Sequence, residues 1–301
     1  MKKNLILIII LLLIIILGGF HVAESVKSCS IKNTPFLIDD SLKLFKPFKV
    51  KDALSSLEAN IASSVLLNED KKIILYEKNL NQKAAIASLT KLMTAVIVMD
   101  NYPLDSKIDL NDNMLMSLRR STNLVIGEHM TIKDLLYIML IESNNNAAEY
   151  LASKIDRSNF MILMNEKAKK LKMKNTYFVN PHGLDENNGD YNASSAKDLT
   201  ILVSEIIKNY PLIKDILSNY KYKLVTEEGN VYNLTNTNIL LEEVPYETWG
   251  KTGYTEKANG CLILMTNTPS DDIIINIIIN SDDRFEEMKN LTNWTLNAFS
   301  F

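Results

Sequence analysis

The sequence predicts an α+β fold: one antiparallel sheet flanked by helices and drawn from both chain ends, with an all-helical lobe inserted between them. Three observations predict it. Strand-length apolar runs lie at residues 61–76 and return at 261–280. Helix-period runs fill most of the stretch between. A last helical pattern closes the chain at 284–298. Strands at both ends with helices gathered between them make a segregated α+β arrangement.

Each element has a local reason. Residues 5–20 carry no charge and follow Lys2 and Lys3. As a helix they reach about 24 Å, short of a bilayer core of about 30 Å, so Val22 and Ala23 are needed to complete a span. The run is long for a secretory signal, and His21-Val22-Ala23 offers a poor cleavage site. Residues 1–23 are therefore expected to be a signal or membrane anchor, an uncleaved anchor being preferred. Either exports the remainder, although Lys27 and Lys32 beyond the run weaken orientation by charge alone. A lipidated Cys29 is disfavoured by Lys27 and by distance from the apolar run. Residues 24–56, with six lysines, Pro35 and Pro47, read as a tether. Residues 57–301 read as the folded domain.

Within that domain, residues 61–67 and 72–76 flank Asn68-Glu69-Asp70-Lys71, a hairpin. Apolar residues at 89, 92, 93, 96, 97 and 99 predict a buried helix over 88–99. Thr131 with Asp134 starts a helix to about 141, and helices follow near 146–155 and 159–171. Ser195 and Asp198 open another near 197–207. Residues 222–226 and 231–234 flank Glu228-Gly229-Asn230, a second hairpin. Residues 261–266 and 272–280 are strand-like, and the closing helix spans 284–298.

Composition excludes several functions. The 33 basic and 36 acidic residues give a net charge of −3 and form no basic block, which argues against nucleic-acid binding. Two cysteines are too few for a disulfide scaffold. His21, His129 and His182 show no metal-ligand spacing, so neither a metal nor another cofactor is expected.

Three short motifs carry chemistry. Ser88-Leu89-Thr90-Lys91 places a lysine amine one helical turn from a serine hydroxyl. Serine is a poor nucleophile until a base takes its proton. Lysine is that base only if burial or a nearby cation lowers its pKa. Leu89, Leu92 and Met93 supply burial, and Lys251 is a candidate cation. Ser143-Asn144-Asn145 sits at a polar break between two helices. Gly250, Gly253 and Gly260 surround Lys251-Thr252-Gly253 at the start of a strand pair, where glycine permits close approach of another backbone. Singly these are weak. Ser194…Lys197 and Ser218…Lys221 repeat the first pattern, Ser121-Thr122-Asn123 repeats the second, and capping or turn formation explains any one of them.

Their order is distinctive: S-x-x-K, then S-x-N, then K-T-G. The flanks extend it. Ala87-Ser88-Leu89-Thr90-Lys91-Leu92-Met93-Thr94, Ser143-Asn144-Asn145-Asn146-Ala147-Ala148, Phe178-Val179-Asn180-Pro181-His182-Gly183-Leu184 and Gly250-Lys251-Thr252-Gly253-Tyr254-Thr255 stand in sequence. On these motifs the chain resembles the serine D-alanyl-D-alanine carboxypeptidases, the low-molecular-mass penicillin-binding proteins, over about residues 57–300. Asn146 departs from the aspartate of the family pattern. The C-terminal amphipathic anchor of many relatives has no counterpart after the closing helix, so anchoring is expected at the N-terminus.

The resemblance implies a β-lactamase/DD-peptidase-like fold and a wall-peptide substrate ending in D-Ala-D-Ala. It implies Ser88 as nucleophile, Lys91 as base and Ser143 as proton relay. Asn145 would hold the substrate amide, Lys251 and Thr252 the terminal carboxylate, and the backbone N–H groups of Ser88 and Tyr254 the oxyanion. Gly253 belongs to the same binding strand, and Arg284 is a candidate second carboxylate ligand. His182 is expected to be structural and Cys261 a buried strand residue. β-Lactams would acylate Ser88 and leave slowly, because the stretch between the S-x-N and K-T-G motifs holds no E-x-x-L-N loop to position a deacylating water. A β-lactamase of the same fold and a catalytically silent wall-binding protein are the alternatives.

Overall fold

The computed structural model describes residues 48–49, 54, 57–68, 71–111 and 124–301. The expected anchor, nearly all of the tether, Cys29 and Ser121-Thr122-Asn123 lie outside the described residues. Among the described residues no helix is long and apolar enough to cross a membrane.

The strands are β1 (Phe48–Lys49), β2 (Ile61–Asn68), β3 (Lys71–Lys78), β4 (Ala84–Ala85), β5 (Lys107–Asp109), β6 (His129–Thr131), β7 (Ala193–Ser194), β8 (Lys221–Val225), β9 (Val231–Thr235), β10 (Thr248–Thr255), β11 (Asn259–Asn267), β12 (Ile273–Ser281) and β13 (Phe299–Ser300). The helices are α1 (Lys91–Asn101), α2 (Ile132–Ile141), α3 (Asn145–Ser153), α4 (Arg157–Lys170), α5 (Ala196–Asn209), α6 (Pro211–Leu217), α7 (Leu240–Glu243) and α8 (Arg284–Ala298). A 3₁₀ turn, Ala87–Thr90, leads directly into α1.

The main sheet is antiparallel with order β10-β11-β12-β2-β3. Both chain ends build it: Ile277 of β12 pairs with Ser63 of β2. One face lies under α8, where Asn276 Nδ2 donates to Thr292 Oγ1 at 2.9 Å and Ser64 shares a hydroxyl bond with Thr295 at 3.0 Å. Ala62, Leu262, Leu264 and Ile278 fill that side with Met288 and Leu291. Ile275, Ile277 and Ile279 face the larger core with α1, α2 and α5. Both faces of β12 are covered, which is why its sequence is isoleucine-rich rather than alternating. Each isoleucine buried there contributes roughly 1.5–3 kcal/mol.

The expected boundaries hold with small shifts. Thr131 and Asp134 form a reciprocal capping box at α2. Ser195 caps α5 by accepting from Asp198 N. The segment over 88–99 divides into a 3₁₀ turn and then α1, because Ala87 takes a left-handed φ of 45° and the chain tightens before the α-helix starts. Helix α6, opened by Pro211 at its first position, goes beyond the sequence expectations.

Candidate active site

The Ser88 hydroxyl sits in the 3₁₀ turn, half-buried, with Lys91 fully buried one turn on. Residues i and i+3 eclipse in a 3₁₀ turn. Lys91 Nζ therefore reaches Ser88 Oγ at 2.9 Å. The same ammonium position donates to Asn145 Oδ1 at 2.7 Å and to the His182 carbonyl at 2.7 Å. Burial holds the Lys91 amine well below its ordinary pKa, and the positive charge of Lys251 lowers it further. A buried, electrostatically discharged amine touching a serine hydroxyl is what a lysine base requires.

Lys251, Thr252 and Gly253 lie in β10, the edge strand. Lys251 is buried and donates to the Thr252 carbonyl at 3.1 Å. Burial lowers its pKa to about 7, with Arg284 adding to the effect. Thr252 Oγ1 lies 2.5 Å from Thr237 Oγ1. Thr237 escaped the sequence reading, since its two neighbouring asparagines carry no catalytic signature. A Cβ built on Gly253 would lie 3.0 Å from Ser88 N and 3.1 Å from the Ile86 carbonyl. Glycine there lets the strand edge close against the turn that holds Ser88. Tyr254, the next residue, is 60% exposed and stands at the rim.

Arg284 opens α8 beside this strand. A Cβ on Gly260 would meet Arg284 Cβ at 3.1 Å and the Ser281 carbonyl at 2.5 Å, so the glycine makes room for the arginine. The guanidinium lies 5.9 Å from the Tyr254 ring centre, and its buried Nε lacks a hydrogen-bond partner. Among the described residues no carboxylate forms an ion pair with Lys91, Lys251 or Arg284. Lys251 and Arg284, positive groups without an internal counter-ion, suit an anionic substrate group.

Ser143 occupies the break between α2 and α3, with φ 58°. Lys91 Nζ bonds Ser88, Asn145 and His182 rather than Ser143. Ser143 is thus placed two residues from Asn145 without a direct bond to the amine. Ala87 and Ser143, each next to a motif residue, both hold left-handed backbone that L-residues avoid; strain of this kind gathers at functional sites.

A second layer holds the turn. Gly183, with φ 94°, packs so closely that a Cβ would fall 2.0 Å from the Ala87 carbonyl oxygen. Thr94 Oγ1 donates to the Pro181 carbonyl at 2.6 Å. Asn192 Nδ2 donates to Thr90 Oγ1 at 2.9 Å, while its Oδ1 accepts from Val179 N at 2.7 Å and Asn180 N at 3.1 Å. No sequence signal singles out Asn192, an isolated asparagine in a loop. Cys261 is buried in β11 and unpaired, and burial pushes its thiol up to about 12, so it is inert. His129 pairs with Asp109 on the surface at 2.5 Å. Among the described residues no group of three or more metal-ligating side chains converges.

Comparison with known proteins gives the family and the fold. A family model described as D-alanyl-D-alanine carboxypeptidase matches residues 49–283. D-alanyl-D-alanine carboxypeptidase DacF of Bacillus subtilis (strain 168) is 38% identical over 216 residues, which are 69% of this chain and 54% of that protein. The chain thus spans about half the length of that relative. D-alanyl-D-alanine endopeptidase of Escherichia coli (strain K12) is 32% identical over 262 residues, 82% of this chain and 81% of that one. Among solved structures, penicillin-binding protein D2 of Listeria monocytogenes in its ampicillin-bound form superposes with TM-score 0.67 at 31% identity, covering 79% of this chain and 97% of that chain.

Proposed function

Because the chain belongs to the D-alanyl-D-alanine carboxypeptidase family, we propose that it is a serine D-Ala-D-Ala carboxypeptidase that removes the terminal D-alanine from peptidoglycan stem peptides. The observation that carries this is the buried Lys91 amine, lowered in pKa and 2.9 Å from Ser88 Oγ. Ser88 Oγ attacks the carbonyl between the two D-alanines as Lys91 takes its proton. The backbone N–H groups of Ser88 and Tyr254 receive the developing oxyanion. Lys251, Thr252 and Arg284 bind the terminal carboxylate, a charge-assisted contact. Asn145 holds the substrate amide, and Ser143 passes a proton to the leaving amine. Water then cleaves the acyl-enzyme, freeing Ser88. The D2 protein's ampicillin-bound form supports a β-lactam acylating Ser88 in the same way. Residues 1–23 act as signal or anchor and 24–56 as tether, so that residues 57–301 work outside the cytoplasmic membrane.

A second reading has its own support: the Escherichia coli relative matched over most of its length is named an endopeptidase. The same carbonyl chemistry then acts on a D-alanyl bond inside a cross-link. The test incubates the full chain and Ser88→Ala with fluorescent penicillin, a D-Ala-D-Ala peptide and a cross-linked peptide. Stable labelling and D-alanine release, both absent in Ser88→Ala, support the carboxypeptidase. Cleavage of the cross-linked peptide alone supports the endopeptidase. Rapid loss of label with hydrolysed penicillin identifies a β-lactamase, and labelling without peptide cleavage identifies a wall-binding protein.

A further inference from the structure

We propose that Glu149 is a positioning residue for the Lys91 amine, acting through the His182 side chain and its backbone carbonyl. The proposal rests on the reading of Ser88 and Lys91 as nucleophile and base. Glu149 belongs to α3, four residues after Asn145, so both point along one helix face. Asn145 touches Lys91 directly. Glu149 reaches it by one intermediate.

The intermediate is defined at every polar atom. His182 Nε2 lies 3.1 Å from Glu149 Oε1, and both side chains are nearly buried. His182 Nδ1 accepts from Leu184 N at 3.0 Å. An acceptor at Nδ1 places the proton of the neutral ring on Nε2, where the carboxylate receives it. Burial lowers the His182 pKa, against a raising contribution from Glu149, which keeps the ring in this neutral form. The peptide joining His182 to Gly183 is held from both sides: its N–H donates to Asn180 Oδ1 at 2.7 Å, and its carbonyl accepts from Lys91 Nζ at 2.7 Å. With ring and peptide plane both fixed, the carbonyl cannot swing away from the amine. Glu149 is anchored in turn by Arg157, whose Nε lies 3.3 Å from each carboxylate oxygen. Burial raises the Glu149 pKa, but the His182 bond and the Arg157 charge outweigh it and hold the carboxyl ionised.

The test measures acylation of the full chain by fluorescent penicillin, which uses Ser88 and Lys91 and needs no peptide substrate. Wild-type labelling without D-alanine release therefore counts against the peptide substrate and not against this role. Glu149→Met is expected to lower the limiting acylation rate about tenfold, as slight misplacement of a base does, with the half-saturating penicillin concentration within twofold. Glu149→Gln keeps an acceptor and restores the rate to within about threefold of wild type. Arg157→Met breaks the outer half of the network; it lowers the melting temperature but leaves acylation within about twofold, since His182 keeps its partner. Equal rate losses in Arg157→Met and Glu149→Met would mean a general structural role and overturn the proposal. Wild-type acylation in Glu149→Met would overturn it too. Should Glu149→Met fail to fold, the nitrogen spectrum of His182 in the wild-type chain decides: a proton on Nε2 supports the proposal, and one on Nδ1 refutes it.

Discussion

Replacing Gly183 by alanine tests how tightly the nucleophile turn depends on its neighbour. The new Cβ would stand 2.0 Å from the Ala87 carbonyl oxygen, 2.4 Å from its carbon and 2.9 Å from Ser88 N, all backbone atoms. Real Cβ contacts essentially never fall under 3.0 Å, so something must move by 1.0 Å or more (3.0 minus 2.0). Holding alanine at φ 94° costs roughly 1–2 kcal/mol, by analogy with left-handed helix. The overpacking adds roughly 1–3 kcal/mol. The sum of roughly 2–5 kcal/mol lowers the melting temperature by roughly 4–20 °C in a domain of this size. A shift of about 1 Å at the Ser88 amide is expected to slow acylation about a hundredfold. Gly189→Ala is the control: φ is 88°, yet nothing lies within 4 Å of its Cβ, so it carries the backbone strain alone. It should lose roughly 1–2 kcal/mol and acylate like wild type. The assays are the acylation rate with fluorescent penicillin and a thermal melt. Gly183→Ala acylating within twofold of wild type, with a melting loss equal to that of Gly189→Ala, would refute the reasoning.

Two further outcomes follow from the geometry. The Lys251 ammonium must be charged to bind a carboxylate, and its pKa is lowered to about 7; kcat/KM for a D-Ala-D-Ala peptide should therefore fall as pH rises through about 7, whereas kcat should not, because bound carboxylate keeps the lysine protonated. A kcat/KM flat from pH 6 to 9 would remove Lys251 from the carboxylate site. Asn192→Ala strands the N–H groups of Val179 and Asn180 and takes one of two partners from the Thr90 hydroxyl, which keeps its bond to the Ala87 carbonyl, a loss of roughly 2–4 kcal/mol. Its melting temperature should drop with the acylation rate, and a melt within one degree of wild type would show that these bonds are replaceable.

Much of this architecture was readable locally. Thr131 with Asp134, Ser195 with Asp198, and Arg284 at the head of the last helix are capping and boundary signals that act within one turn. The pairing of Ser88 with Lys91 was legible for the same reason, since three residues of helical chain bring them together. The strand order was not. Nothing near Ile273 says that it pairs with Leu67 rather than with another apolar run, because every buried strand presents similar side chains. Glu149 and Asn192 were equally silent: their partners lie 33 residues on at His182 and 102 residues back at Thr90, and only the fold makes them neighbours. Asn146 remains a buried amide whose Oδ1 has no partner, at the position where the family pattern carries aspartate.

The sheet order also sets a timetable for the newborn chain. β2 and the Ser88 turn are translated early, but the strand that flanks β2 in the sheet, β12, comes about 200 residues later, and β10 joins only through β11 and β12. Closing so long a loop is slow, because its entropy is lost before any pairing repays it. Until then Ser88 has Lys91 one turn away but neither Lys251 nor the strand edge that Gly253 brings against its amide. The unfinished molecule is thus a hydroxyl without an electrophile's berth, and its reactivity arrives in one late step. That same wait leaves the side of β2 away from β3 as an unpaired edge, so a stalled intermediate would be lost to aggregation before it could react.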